Sequence, residues 1–148
     1  MAAPSGPVTA STDAERAMFD FVDAYDRAYE TAALEHGLSV AQACVLGRLT
    51  RQIGMRELAD EIGCDASNIT QIIRRLEARD LVRRHLHPDD RRSRQIVRTP
   101  DGTALYAAFE KSFEFARAAI ANLSAREQDQ LAALLRKALD NGTRGPNG

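Results

Sequence analysis

The chain has 148 residues, 44% hydrophobic and 28% charged, with no run near the roughly 18 apolar residues of a membrane span. That fits one soluble domain, or one domain with an added interaction element, and it excludes a largely disordered chain. A net charge of −1 argues against a uniformly basic polyanion binder, and 5% aromatic residues without Trp argue against a large aromatic cleft.

The opening MAAPSGPVTASTD has neither the basic nor the apolar part of a secretory signal. Residues 1–11 and 141–148 read as disordered tails. Residues 13–35 read as a helix capped by Thr12 or Asp13, with a stripe of Met18, Phe21, Val22, Tyr25, Ala28, Tyr29 and Ala32. Gly37 is its expected stop. Ser39 caps a second helix, about 40–51, with Ala43, Val45, Leu46 and Leu49 inside. Gly54 interrupts, and a short helix over 55–62 turns Met55, Leu58, Ala59 and Ile62 to one side. After Gly63, Asp65 caps a helix of about 66–79 that buries Ile69, Ile72, Ile73 and Leu76. Two amphipathic helices around a tight Gly-containing turn make a helix-turn-helix pattern.

The period then changes. Residues 81–86 and 94–99 read as β-strands joined by the polar turn HPDDRRS, which makes a hairpin. Thr99-Pro100 is a helix start, and a long helix is expected over about 100–121 with Leu105, Phe109, Phe113, Ala116 and Ile120. Ser124 and Glu127 form the capping-box pattern of a last helix, about 125–140, carrying Leu131, Leu134, Leu135 and Ala138. The fold class is therefore mainly α with a small β-hairpin. A winged-helix DNA-binding region (38–99) is flanked by helical dimerisation regions (12–37 and 100–140), whose apolar stripes exceed what one small domain needs.

The neutral average charge hides an asymmetry. Residues 74–98 hold nine arginines against four acids and no lysine, a local charge of +5. A concentrated basic segment in a neutral protein points to a polyanion partner. In a winged helix, Ser67, Asn68, Thr70, Gln71, Arg74 and Arg75 on the exposed face of the second helix can meet the major groove or phosphates. Arg91, Arg92 and Arg94 can meet the minor groove and backbone, with Asp90 orienting the Arg92 guanidinium. Arg83 and Arg84 alternate along a strand, so one of them is expected to face the protein and pair with an acid. A salt-bridged solvent face is the plain alternative for such a segment.

In this order, GLSVAQACVLGRL, MRELADEIGCDASNITQIIRRLEARDLVRRH and DDRRSRQIVRTPDG resemble the MarR family of transcriptional regulators over about residues 13–140. Arg98 departs from the family's Leu before Thr99, which implies a less buried strand end, and Ala43 replaces an aromatic residue. The resemblance implies a homodimer that binds an inverted repeat in double-stranded DNA and represses genes. It also implies release by a small phenolic or anionic effector. Tyr25, Tyr29, His36 and Arg48 fall where the family's effector pocket lies, with Arg48 or His36 supplying charge.

Other readings stay open. Cys64, just before the recognition helix, or Cys44 could make a thiol-based oxidant sensor, although a free cysteine also packs as a small hydrophobe. A helical module whose Arg-rich hairpin binds an acidic protein is the alternative from another class. Two cysteines make no disulfide framework, so a reducing cytoplasm is the expected location. His85 and His87 flank the wing without a third ligand nearby in sequence, so no metal site is expected. No cofactor, membrane partner or catalytic motif is expected either.

Overall fold

The computed structural model describes residues 8–86, 89 and 94–142, with side chains through residue 140. The chain divides into two compact units at Phe113/Glu114. The first holds α1 (Asp13–Glu35), α2 (Val40–Arg48), β1 (Ile53–Gly54), α3 (Met55–Ile62), α4 (Ala66–Ala78), β2 (Val82–Leu86), β3 (Arg94–Arg98) and α5 (Pro100–Ser112). The second holds α6 (Phe115–Ala121) and α7 (Ala125–Gly142).

Local capping fixes most helix starts. Thr12, Ser39, Asp65 and Thr99 each accept a backbone N–H from the first turn of their helix. Ser39 adds the reciprocal bond from Gln42, which completes a capping box. Gly63 ends α3 at φ +73, the left-handed conformation that glycine adopts without steric cost. Its N–H and that of Cys64 both donate to the Ala59 carbonyl, so the turn into α4 is closed by backbone bonds.

The core sits between α2, α3, α4 and the sheet. Leu46, Ile53, Leu58, Ile69, Ile73, Leu76 and Ile96 are fully buried, joined by Ala33 of α1 and Phe109 of α5. The expected interiors of α2 and α4 are all buried. The sheet has three antiparallel strands in the order β1-β3-β2, with Ile53 opposite Ile96 and Val82 opposite Arg98. The edge strand β1 has only two residues, too few for a period, and the sequence pattern shows Gly54 only as an interruption.

Two boundaries differ from expectation. The second helix ends at Arg48, because Leu49 leaves helical geometry (φ −86, ψ 45). The long helix expected over 100–121 is two helices, broken at Phe113 (φ −87, ψ 84). At the break the Ser112 hydroxyl donates to the Phe109 carbonyl, the kind of local side-chain bond that competes with helix continuation. The apolar spacing runs straight through this point, so periodicity alone carries no sign of it.

In the second unit, Ser124 and Glu127 form the expected capping box, with bonds of 2.8 and 3.3 Å. The Gln128 amide donates to the Ile120 and Leu123 carbonyls and satisfies the end of α6. Leu134, Leu135 and Leu139 of α7 are exposed, as are Met18, Phe21 and Val22 of α1 in the first unit. Among the described residues, no helix is long and apolar enough to cross a membrane.

Candidate nucleic-acid interface

Helix α4 has one sealed side and one open side. Ile69, Ile72, Ile73 and Leu76 are buried and fix its rotation. Ser67, Asn68, Gln71, Arg74 and Arg75 are exposed on the other side, and Thr70 is half-buried. Asn68 and Gln71 are three residues apart and therefore neighbours, with Arg74 and Arg75 one turn further on. Of these side chains, two hydroxyls are already engaged: Ser67 donates to the Asp65 carboxylate and Thr70 to the Ala66 carbonyl, each at 2.8 Å. The amides of Asn68 and Gln71 and the guanidinium groups of Arg74 and Arg75 are the outward donors.

The first turn of α4 is held by Asp65. Its carboxylate accepts the Asn68 N–H at 2.8 Å and the Ser67 hydroxyl, and these bonds hold its pKa below the ordinary value, the Asn68 bond first. The start of the helix is thereby rigid where Asn68 projects from it.

The hairpin supplies the second basic element. Arg94 opens β3, exposed, opposite Leu86. Asp90, Arg91 and Arg92, expected at the wing tip, lie outside the described residues, as does His87.

The arginines of the segment divide by role. Arg84 is half-buried and donates to Glu77 at 2.6 Å, while its neighbour Arg83 is exposed, as strand alternation requires. Arg79 donates to the Gly37 carbonyl at 2.6 Å, joining α4 to the end of α1. Arg98 is half-buried and donates through Nε to the Leu49 carbonyl at 3.0 Å. These three brace the fold. Among the described residues, Arg74, Arg75 and Arg94 are exposed and form no ion pair, while exposed Arg83 meets Asp80 at 3.9 Å.

A second cluster, between α1, α2 and α5, collects five of the eight aromatic residues. Tyr25 and Tyr29 stack at 6.2 Å, and both meet Phe113 edge-on, at 5.2 and 5.3 Å. Phe109 adds edge contact with Tyr29 at 5.0 Å and joins Tyr106 at 5.6 Å. The aromatic residues are thus few but concentrated. The Cys44 thiol donates to the Tyr29 hydroxyl at 3.6 Å. Burial first, then this thiol contact, pushes the Tyr29 phenol above the ordinary tyrosine value. Burial also raises Tyr106, with Glu110 adding and Arg98 opposing.

The four expected effector residues separate. Tyr25 and Tyr29 join this cluster. His36 bonds Ser112 at 3.0 Å beyond it, and Arg48 is exposed at the end of α2. Ala43 is fully buried, and Cys64 packs against the core. Tyr106 escaped the sequence reading, although its i, i+3, i+7 spacing with Phe109 and Phe113 is a detectable aromatic row.

Residues 38–93 match the model of the MarR family. No curated protein sequence matches the chain. Among solved structures, apo wild-type MarR from E. coli aligns with a TM-score of 0.74 at 23% identity, over 90% of this chain and 99% of that one. The S. aureus MepR–DNA complex gives 0.73 at 20% identity, over 88% and 99%. YusO from Bacillus subtilis gives 0.71 at 21%, over 86% and 93%. The structural likeness establishes the fold, and the family match runs from α2 through the helix-turn-helix and β2 but ends before β3. Residues 38–93 therefore carry the sequence pattern of the MarR family, and the chain has the fold of MarR, MepR and YusO.

Proposed function

We propose that the protein is a cytoplasmic homodimeric repressor that reads an inverted repeat and leaves it when a small phenolic or anionic ligand binds. The observation that carries the DNA-reading part is α4, whose apolar side is sealed into the core and whose outward side presents Asn68, Gln71, Arg74 and Arg75. Asn and Gln match adenine edges, and Arg matches guanine or phosphate. The hairpin arginines Arg91, Arg92 and Arg94 supply the minor-groove and backbone contacts. MepR, of the same fold, was solved on an oligodeoxyribonucleotide, which supports the same use of this one.

The apolar faces of α1 and α7 support dimerisation, since an exposed leucine row of this kind marks an interface. The Tyr25/Tyr29/Phe113 cluster is the wall offered to an aromatic ligand, with His36 or Arg48 as the charged group. A panel of phenolic acids titrated into the DNA complex tests this. Release that Tyr29→Ala abolishes supports it, and no release by any member contradicts it.

A second reading has its own observation. Cys44 meets the Tyr29 hydroxyl, so oxidation of this thiol would disturb the same cluster. Release by peroxide that Cys44→Ser abolishes and Cys64→Ser preserves distinguishes this reading. Loss in Cys64→Ser alone assigns the response to the other thiol.

A further inference from the structure

We propose that Arg98 is a positioning residue that fixes the wing strand β3 against α2 and α5, making the wing's engagement of DNA depend on the packing around Tyr106. The inference rests on the reading of the hairpin as a DNA-contacting wing.

Arg98 is the last residue of β3, the central strand, which is hydrogen-bonded on both sides. Its Nε–H donates to the carbonyl of Leu49, the residue that ends α2. Helix ends leave carbonyls without intrahelical partners, and Leu49 itself is only 2% exposed. A cationic donor here satisfies a carbonyl that solvent reaches poorly and complements the negative end of α2.

The same guanidinium lies over the Tyr106 ring, 5.0 Å from its centroid. Tyr106 cannot shift freely. Phe109 lies beside it, and across from it a Cβ on Gly47 would come within 2.7 Å of its hydroxyl. The ring is therefore wedged between α2 and its own helix, and Arg98 takes its place from that ring.

Arg98 and Arg94 stand at opposite ends of one five-residue strand, about 13 Å apart. Arg94 is exposed toward the hairpin end, while Arg98 is half-buried and engaged. One end of β3 is thus anchored to α2 and α5, and the other carries the basic hairpin. Its two contacts are with protein, so its role is to place the strand.

The test compares wild type, Arg98→Leu, Arg98→Lys, Tyr106→Leu and the Arg98→Leu/Tyr106→Leu double variant. Each binds duplexes that share selected half-sites but carry A·T-rich or G·C-rich flanks, over a salt series, with thermal unfolding in parallel. Arg98→Leu should reduce the A·T-flank preference about tenfold, within the range for coupled neighbours. Base preference within the half-sites and the salt slope should stay as in wild type. Tyr106→Leu, which keeps the bond to Leu49, should act in the same direction, the double variant should be less than additive, and Arg98→Lys should retain most of the preference. Arg98→Leu that lowers the unfolding temperature but keeps the flank preference assigns a purely structural role and overturns the inference. So does a salt slope lowered by about one, the mark of a direct phosphate contact. Arg92→Ala separates the two levels of failure. Flank preference that survives Arg92→Ala overturns the wing reading and this inference with it. Preference lost in Arg92→Ala but kept in both Arg98→Leu and Tyr106→Leu overturns the inference alone.

Discussion

The Thr99 hydroxyl donates to the Asp80 carbonyl at 2.6 Å while accepting the Gly102 N–H at 3.0 Å. One buried side chain therefore caps α5 and ties it to the exit of α4. Asp80 stands there at φ 56, a left-handed conformation that is uncommon outside glycine. The Thr99 N–H adds a bond to the Leu81 carbonyl at 3.1 Å. The TPDG stretch is thus a joint between α5 and the turn from α4 into β2.

Thr99→Ala should remove both hydroxyl bonds at a 3% exposed site and cost about 1–3 kcal/mol. Thr99→Ser keeps the hydroxyl and should recover most of that loss. Denaturant unfolding of the three proteins checks the order.

Gly102→Ala should destabilise, although glycine to alanine inside a helix ordinarily gains up to about 1 kcal/mol. A Cβ on Gly102 would overlap the Leu81 carbonyl oxygen, a backbone atom that cannot rotate away. The expected net cost is about 1–3 kcal/mol, as for overpacking. An unchanged or raised unfolding temperature would show that the joint can open without cost.

Asp65 gives a pH signature with a defined sign. Its folded carboxyl is held below the ordinary value by the Asn68 N–H and the Ser67 hydroxyl. The unfolded chain then binds the proton more readily, so the stabilisation is complete above the unfolded value near 4 and is lost as pH falls through the lower folded one. Asp65→Asn keeps a capping oxygen but does not titrate. The stability difference between wild type and Asp65→Asn should shrink below about pH 4 and stay constant between pH 5 and 7. A constant difference down to pH 2.5 would contradict it.

The exposed rows on α1 and α7 predict assembly. Sedimentation at micromolar concentration should give a dimer for wild type, and Leu134→Glu with Leu135→Glu should give monomer or aggregate. A folded, monodisperse wild-type monomer would remove the dimer from the account.

Local chemistry was legible in the sequence. Ser39, Asp65, Thr99 and Ser124 announce helix starts because capping needs only the next three residues. The buried face of α4 was legible because a single stripe repeats at helical spacing. What escaped depends on distant partners. Arg79 looks like any other arginine of the basic run, and Arg98 stands out only as a departure from the family's Leu, until Gly37, Leu49 and Tyr106 are brought to them. The pairing of Tyr25 and Tyr29 with Phe109 and Phe113 joins helices some eighty residues apart, so no window along the chain contains it.

Selection of duplexes from a random pool by the purified protein bears most directly on the central claim, that α4 and the hairpin read DNA as a two-fold pair. The recovered sequences should converge on an inverted repeat with half-site centres about 10 bp apart. Asn68→Ala or Gln71→Ala should then relax one base position in each half-site, at about 1–3 kcal/mol. Arg74→Ala or Arg75→Ala should weaken cognate and scrambled duplexes alike and lower the salt slope by about 0.9. A pool that does not converge, or an Asn68→Ala, Gln71→Ala double variant that selects the wild-type sequence with wild-type affinity, would contradict the account.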